Sequence, residues 1–170
     1  GNAARTGMDP FMGPAVESWL AAGCPDDETA RRLRAQLGGL RAVYDWSEVT
    51  LVDKGGRVRL ALGRQHALDS ALIDTVRDAM SARTIRFIDL HVVGSSPGEV
   101  EMGYAAPLLV DAGGSQRVVG AVLLELDADI RQGIQAGTID QGHARALISI
   151  PDSAKRREFY QRIITEKLTV

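Results

Sequence analysis

The longest regular pattern in the chain runs from Val100 to Asp127 and predicts two strands joined by a tight turn. In the first strand, apolar or small residues alternate from Val100 to Val110, which is typical of a strand with one buried face. The second strand, VVGAVLLEL, is apolar on both faces and is therefore predicted to lie at the centre of a sheet. The intervening DAGGS supplies the turn, because glycine readily adopts positive φ.

Upstream of this hairpin, the pattern predicts a helix, a second hairpin, another helix and a further strand. Asp26 and Asp27 can cap a helix, and apolar side chains then recur at helical spacing at Leu33, Leu37, Leu40 and Tyr44. The segment VTLVDKGGRVRLALG reads as two strands around a glycine turn. Residues 67–82 repeat an apolar position every four residues, and residues 84–93 alternate as a strand.

This order of elements predicts an α+β domain built on a five-stranded antiparallel sheet, with its helices on one side. No strand–helix–strand unit with a glycine-rich turn is present in the sequence. That observation argues against a nucleotide-binding doubly wound fold.

Residues 129–170 have no strand pattern and predict a small all-helical segment. Gly137 breaks the first helical piece, Thr138 or Asp140 can begin a second, and Pro151 ends it. Asp152 or Ser153 can cap a third helix.

Residues 1–14, GNAARTGMDPFMGP, show no periodicity and resemble an expression-vector remnant. They are therefore left out of the predicted fold. The predicted organisation is a remnant at 1–14, a sheet domain at 15–128 and a helical segment at 129–170.

Composition narrows the class of protein. The chain has 170 residues, of which 45% are hydrophobic, so it can bury one core. A net charge of -2 gives no global indication of nucleic-acid binding. Cys24 is the one cysteine, which excludes an internal disulfide and a cysteine-rich metal site. No run of apolar residues is long enough to span a membrane, and the sequence contains no secretory signal.

Four polar residues on the predicted sheet are candidate ligand-binding residues. Asp89 and His91 interrupt the apolar alternation of their strand, and Tyr104 lies on the next strand with a phenolic hydrogen-bonding group. Arg86 can clamp a carboxylate with two hydrogen bonds. Together they predict a site for an anionic or amphoteric small molecule. The alternative is that Arg86, Asp89 and His91 simply face solvent.

No catalytic, metal or cofactor site is predicted. Asp89 and His91 could point the same way, but the sequence fixes no third metal ligand, Glu101 being one possibility. A nucleophile elbow, a phosphate loop and an HExxH motif are all absent from the sequence. The chain is therefore not expected to be an enzyme.

Residues 16–127 resemble extracytoplasmic PAS-like sensor domains of the Cache type. The resemblance rests on the lead helix, the VTLVDKGGRVRLALG hairpin, the triplet Ala106-Pro107-Leu108, and Val119-Gly120-Ala121-Val122 leading to Asp127. It implies a ligand-sensing input module of a bacterial membrane receptor: a histidine kinase, a diguanylate cyclase or a chemoreceptor. It also implies a periplasmic or extracellular location, with membrane segments outside this chain. A homodimer through the lead helix is expected. A cytoplasmic PAS or GAF regulatory domain is the alternative within this class.

The C-terminal segment is similar to part of the ParB chromosome-partitioning proteins, through the string GHARAL at residues 142–147 and Pro151-Asp152. This resemblance implies, as an alternative function, DNA contacts by His143, Arg145, Lys155 and Arg156. Sequence-specific reading of DNA needs a helix in the major groove, and the recognition helix and arginine-rich box of that family are absent from this sequence. A fusion of two unrelated segments would account for both resemblances.

Overall fold

The computed structural model describes residues 12–44, 46–63, 68–92, 100–125, 128–148, 150 and 152–168. The helices are α1 (Met12–Ala21), α2 (Glu28–Tyr44), α3 (Ser70–Ala82), α4 (Ala128–Gln135), α5 (Gln141–Ile148) and α6 (Ser153–Glu166). The strands are β1 (Glu48–Asp53), β2 (Val58–Gly63), β3 (Arg86–Val92), β4 (Val100–Ala112) and β5 (Ser115–Glu125).

The strands form one antiparallel sheet in the order β2-β1-β5-β4-β3. Strand β5 lies at its centre, and every residue from position 119 to position 125 is buried, as the uninterrupted apolar run predicted. The predicted fold class is confirmed: an α+β sheet of five antiparallel strands with flanking helices, followed by a small all-helical segment.

The helices cover both faces of the sheet, so the prediction that they lie on one side was wrong. We call the two faces the α2 face and the α3 face. On the α2 face, helices α1 and α2 pack on strand residues that include Val49, Leu51 and Val122. On the α3 face, helix α3 packs on Val52 and Leu123. Neighbouring residues of a strand point to opposite faces, so the apolar run of β5 contributes to both cores.

Helix α1 was not predicted: residues 12–14 were left out of the predicted fold, and no helix was assigned to residues 15–21. It begins at Met12, which is 1% exposed, and it also buries Val16 and Trp19. The indole Nε1 of Trp19 donates a hydrogen bond to the carbonyl oxygen of Pro25 at 2.8 Å. Residues 12–14 therefore contribute to the core of the folded chain.

Helix α3 begins three residues later than the apolar spacing predicted. Asp69 is its N-cap, and its carboxylate accepts a hydrogen bond from the backbone N–H of Leu72 at 2.8 Å. The helix ends at Arg83, whose left-handed backbone conformation, with φ of 52°, brings its N–H back to carbonyls of the last turn. These two ends fix the length of the helix that covers the α3 face.

The C-terminal helices share a core with the sheet. Their buried side chains pack around Met102 of β4, which is 4% exposed. These buried residues are Ile130, Ile139, Ala144, Leu147 and Tyr160. Tyr104 of the same strand contacts both this cluster and the α1–α2 core. Residues 129–170 therefore complete the covering of the α2 face.

Candidate ligand-binding face of the sheet

Two buried glutamates lie side by side at one end of the sheet. Glu48 is the first residue of β1, Glu125 is the last residue of β5, and the two are direct partners in the antiparallel register. Their exposed fractions are 2% and 6%. Directly opposed residues have Cβ atoms about 4.5–5.5 Å apart on the same face. The two carboxylates therefore begin from adjacent positions on one surface.

Two glycines flank this acidic pair in the same row across the sheet. Gly63 of β2 is the partner of Glu48, and Gly103 of β4 is the partner of Glu125. A Cβ atom at Gly63 or Gly103 would lie 2.3 or 2.0 Å from a backbone carbonyl oxygen, so neither position admits a side chain in this geometry. The sheet surface on either side of the two carboxylates consequently carries no side chain.

The acidic pair lies on the α3 face. Glu48 alternates with Thr50 and Val52 along β1, and Val52 packs in the core beneath α3. The hydroxyl of Thr50 donates a hydrogen bond to Glu48 Oε1 at 2.8 Å, and Thr50 is itself 2% exposed. This bond fixes the position of the Glu48 side chain. Both Glu48 and Glu125 also interact with other groups of the chain.

The chemistry of two adjacent buried carboxylates favours a cationic partner. Removal of a carboxylate from water is costly unless it is paired, and a second carboxylate beside it raises that cost. In the part of the chain that the structure describes, no group of three or more His, Cys, Asp or Glu side chains has the geometry of a metal site. An ammonium group, which donates up to three hydrogen bonds, suits two carboxylates well.

Arg86 lies on the same face, in the row next to the acidic pair. Its register partner is Ala105, whose own partner in β5 is Leu123, and Leu123 packs beneath α3. The Arg86 guanidinium forms a salt bridge with Asp78 of α3, and 40% of the Arg86 side chain is exposed. Arg86 therefore joins strand β3 to the helix that covers the candidate face.

Tyr104 lies on the opposite, α2 face. It is the register partner of Phe87, and their rings meet edge to face with centroids 5.6 Å apart. Burial raises the pKa of the Tyr104 hydroxyl, and the positive charge of Arg156 acts in the opposite direction. The structure therefore does not bring Tyr104 to the face that carries Arg86. It places Tyr104 at the junction between the sheet and the C-terminal helices.

Asp89 and His91 belong to β3, but their side chains lie outside the described residues. The backbone register shifts between Ile88 and His91, so that His91 is paired with Glu101. This bulge interrupts the strict alternation on which their common face was predicted. Ligand binding by Asp89 and His91 stays a prediction.

The four residues of the DNA-contact alternative fall into two groups. Arg156 is 4% exposed and donates to the carbonyl oxygen of Ile150 at 3.0 Å, while the ring of His143 contacts Asp140 before α5 and Leu168 after α6. Arg145 and Lys155 are exposed. His143 and Arg156 are thus engaged within the helical segment, and Arg145 also interacts with another group of the chain. DNA contact by this set stays a prediction.

Sequence reasoning missed Glu48 and Glu125. A signal for Glu125 was present, because an acid in a strand that is otherwise apolar on both faces must be buried in a central strand. Its partner could not be identified from the sequence. Glu48 and Glu125 are 77 positions apart, and they become neighbours only because β5 inserts between β1 and β4.

Among family models, that of the ParB HTH domain matches residues 112–170, about a third of the chain. The matched range begins at Ala112, the last residue of β4, and includes strand β5, which is paired on both sides within the sheet, and helices α4 to α6. A search of curated proteins found no match.

Several solved sensor domains resemble the chain at low identity. The ligand-binding domain of a Campylobacter jejuni chemoreceptor, in complex with L-norvaline, is 16% identical with a TM-score of 0.46 over 75% of this chain and 53% of that one. The sensor domain of the V. cholerae histidine kinase DctB is 13% identical with a TM-score of 0.44 over 72% and 44%. A Pseudomonas aeruginosa amino-acid chemoreceptor domain in complex with GABA is 16% identical with a TM-score of 0.41 over 75% and 69%.

The chain spans about half the length of the first of these structures. They are ligand-binding or sensory domains of chemoreceptors and of a histidine kinase. At these scores, the likeness identifies no ligand for this chain. Among its described helices, none has the length and apolar character needed to cross a bilayer.

Proposed function

We propose that this chain is a ligand-sensing domain that binds a small molecule bearing an ammonium group on the α3 face of its sheet. The observation that carries the proposal is the buried pair Glu48 and Glu125, set between two glycines. A bound ammonium group adds positive charge beside two carboxylates that are withdrawn from water. Gly63 and Gly103 place no side chain of their own beside the two carboxylates.

Arg86 is the proposed partner for a carboxylate of the same ligand. It lies one row from the acidic pair on the same face, two strands away from Glu125. Neighbouring strands are about 4.8 Å apart, so a ligand that contacts both sites must span roughly 10 Å between strand axes or meet a long arginine side chain part of the way. The ligand class is therefore an amine or an amphoteric molecule with separated charges.

The wider role is that of an input module of a bacterial membrane receptor, with the sensing face outside the cytoplasm. This part of the proposal rests on the strand and turn residues that resemble Cache sensors, among them Ala106-Pro107-Leu108. A receptor of this kind signals only if the ligand binds one of two states of the domain more tightly than the other. Homodimerisation belongs to the same proposal.

A thermal-unfolding screen tests ligand class and site together. The panel contains amino acids, polyamines, dicarboxylates, purines, divalent metal ions and a DNA duplex, and each amino acid is paired with its N-acetyl derivative. A ligand that binds only the folded state, at a hundred times its Kd, should raise the free energy of unfolding by about 2.7 kcal/mol. We expect an ammonium-bearing compound to raise the Tm and its N-acetyl partner to have no effect.

The site assignment is tested with Glu48→Gln and Glu125→Gln, each of which keeps the shape of the side chain and removes its charge. Asp74→Asn is the matched control, because Asp74 is an exposed carboxylate on the outer side of α3. The ligand-induced Tm shift should disappear in both glutamine variants and persist in the control. A shift that survives both glutamine substitutions would contradict this site, and an equal shift with the N-acetyl compound would contradict the ammonium class.

DNA binding through the C-terminal helices is the second candidate function, favoured by the ParB HTH match. The duplex arm of the same screen tests it. A Tm shift with DNA alone, lost at high salt and in an Arg145→Ala, Lys155→Ala double variant, would support the DNA function over the sensor function. These two exposed residues are chosen because Arg156 is buried, so its substitution would also disturb the core.

A further inference from the structure

The ring of His143 joins the two ends of the α5–α6 helix pair. Its Nδ1 lies 2.8 Å from the Asp140 carboxylate, just before α5, and its Nε2 lies 2.8 Å from the carbonyl oxygen of Leu168, just after α6. The side chain of His143 is 12% exposed. Asp140 also caps α5, because it accepts a hydrogen bond from the backbone N–H of His143 at 2.8 Å.

Both oxygens beside the ring are hydrogen-bond acceptors. A neutral imidazole carries one N–H and can donate to one of them, whereas the imidazolium form carries two and donates to both. In the neutral form protonated at Nε2, the Nδ1 lone pair faces the carboxylate, and its available donor is the backbone N–H of Asp140 at 3.4 Å. The two short contacts are therefore satisfied together only when His143 is charged.

The charged groups near the His143 ring lie on α5, on α6 and at Asp140. The backbone N–H of His143 lowers the pKa of the Asp140 carboxyl, and the ring charge contributes in the same direction. Asp140 thus remains ionised throughout the range in which histidine titrates. On the α6 side, Glu166 is paired with Arg162, and Lys167 is an exposed residue whose left-handed conformation ends the helix. On α5, Arg145 is exposed two positions further along.

We propose that His143 is a proton-dependent clasp that holds the C-terminal end of α6 against the start of α5. It is closed when the ring is an imidazolium bonded to both Asp140 and Leu168. When the ring loses a proton, the bond to Asp140 is lost, and a lone pair faces a carboxylate. The position of the end of α6 would then depend on whether the ring is protonated.

Ring-nitrogen and carbonyl NMR of the full chain tests the clasp. Spectra at about pH 5.5 and about pH 8 report how many His143 nitrogens carry a proton. We expect two at the lower pH and one at the higher, with a parallel change in the carbonyl carbon resonance of Leu168. His143→Gln assigns the ring signals among the three histidines of the chain and should remove the pH dependence at Leu168.

Asp140→Asn keeps the proposal testable if the glutamine variant does not fold. Asparagine retains the cap oxygen that accepts from the His143 N–H but removes the carboxylate charge. We expect a reduced pH response at Leu168 in this variant. Asp152→Asn is the matched control, because Asp152 caps α6 in the same way, with its carboxylate accepting from the Lys155 backbone N–H at 3.0 Å.

Three results would overturn the clasp. The first is a Leu168 carbonyl signal that does not change while the His143 ring titrates. The second is a ring that keeps one proton across the whole range. The third is an equal loss of the response in Asp140→Asn and Asp152→Asn, which would indicate a general effect of helix capping.

Discussion

Glu48 and Glu125 are direct cross-strand partners, both buried, on the face of the sheet that α3 covers. Like charges directly opposite on neighbouring strands are destabilising, and burial increases that cost. Both glutamates also interact with other groups of the chain, and in the proposed function an ammonium group of the ligand adds a positive charge beside them. The pair is therefore the centre of the proposed sensor site.

Gly103→Ala should destabilise the protein by about 1–3 kcal/mol. The new Cβ would lie 2.0 Å from the carbonyl oxygen of Leu124, and a backbone atom cannot move without shifting the strand. Gly39→Ala is the matched control, because Gly39 is an exposed residue within α2 with no atom near its Cβ position. That control should stabilise by about 0.5–1 kcal/mol. Denaturant unfolding measures the change in unfolding free energy of each variant. Equal changes would show that the sheet tolerates a side chain at Gly103.

Met102→Ala should cost about 2–5 kcal/mol, because it removes the sheet side chain around which the C-terminal helices pack. Ile85→Ala, at an exposed position just before the edge strand β3, should lower the stability much less. Amide hydrogen exchange shows which segments lose protection. The largest increase in exchange rate should lie in α4 to α6. Unchanged exchange in these helices would mean that they do not depend on the sheet.

Tyr104 should keep its proton to higher pH than an ordinary tyrosine, because burial raises its pKa. A group whose pKa is raised in the folded state favours folding below the pKa of the unfolded chain, about 10 for tyrosine. That stability is lost as the pH rises through the higher folded-state value. Phenolate absorbance of the chain and of Tyr104→Phe measures the difference. The part of the titration that the Tyr104→Phe substitution removes belongs to Tyr104. If that part has the ordinary pKa of tyrosine, the prediction is contradicted.

Asp69→Ala should lower stability by about 1 kcal/mol, because it removes the N-cap of α3, the helix that covers the α3 face of the sheet. Asp69→Asn retains a cap oxygen and should be nearly neutral. Thermal unfolding measures both, with Asp74→Ala as an exposed control on the same helix. If ligand binding depends on α3, the alanine variant should also weaken the ligand-induced Tm shift. A loss as large in Asp69→Asn as in Asp69→Ala would contradict the capping role.

Most elements of the fold could be predicted from local patterns. A central hairpin follows from three local features: β5 is apolar on both faces, β4 alternates, and a glycine turn joins them. Asp140 and Asp152 cap α5 and α6, and each was one of the two candidate residues that the sequence offered for that helix start. These features were predictable because each depends on residues close together in the chain.

The candidate site was not predictable in the same way. Arg86 of β3 and Tyr104 of β4 were expected to act together, but they lie on opposite faces of the sheet, and their polar character gave no sign of which face. The covering of both faces also escaped prediction. An amphipathic helix pattern gives the face that a helix buries but not the side of the sheet on which it packs.

The sequence by itself determined the strands, the helices other than α1, candidate caps and the class of fold, because side-chain periodicity and turn residues act over a few positions. Only the tertiary structure decided that Glu48 and Glu125 are neighbours, that glycines flank them, and that the C-terminal helices close over Met102. Those relationships depend on the order of strands in the sheet, which places residues far apart in the chain in contact. That order is set by how the two apolar faces are buried together.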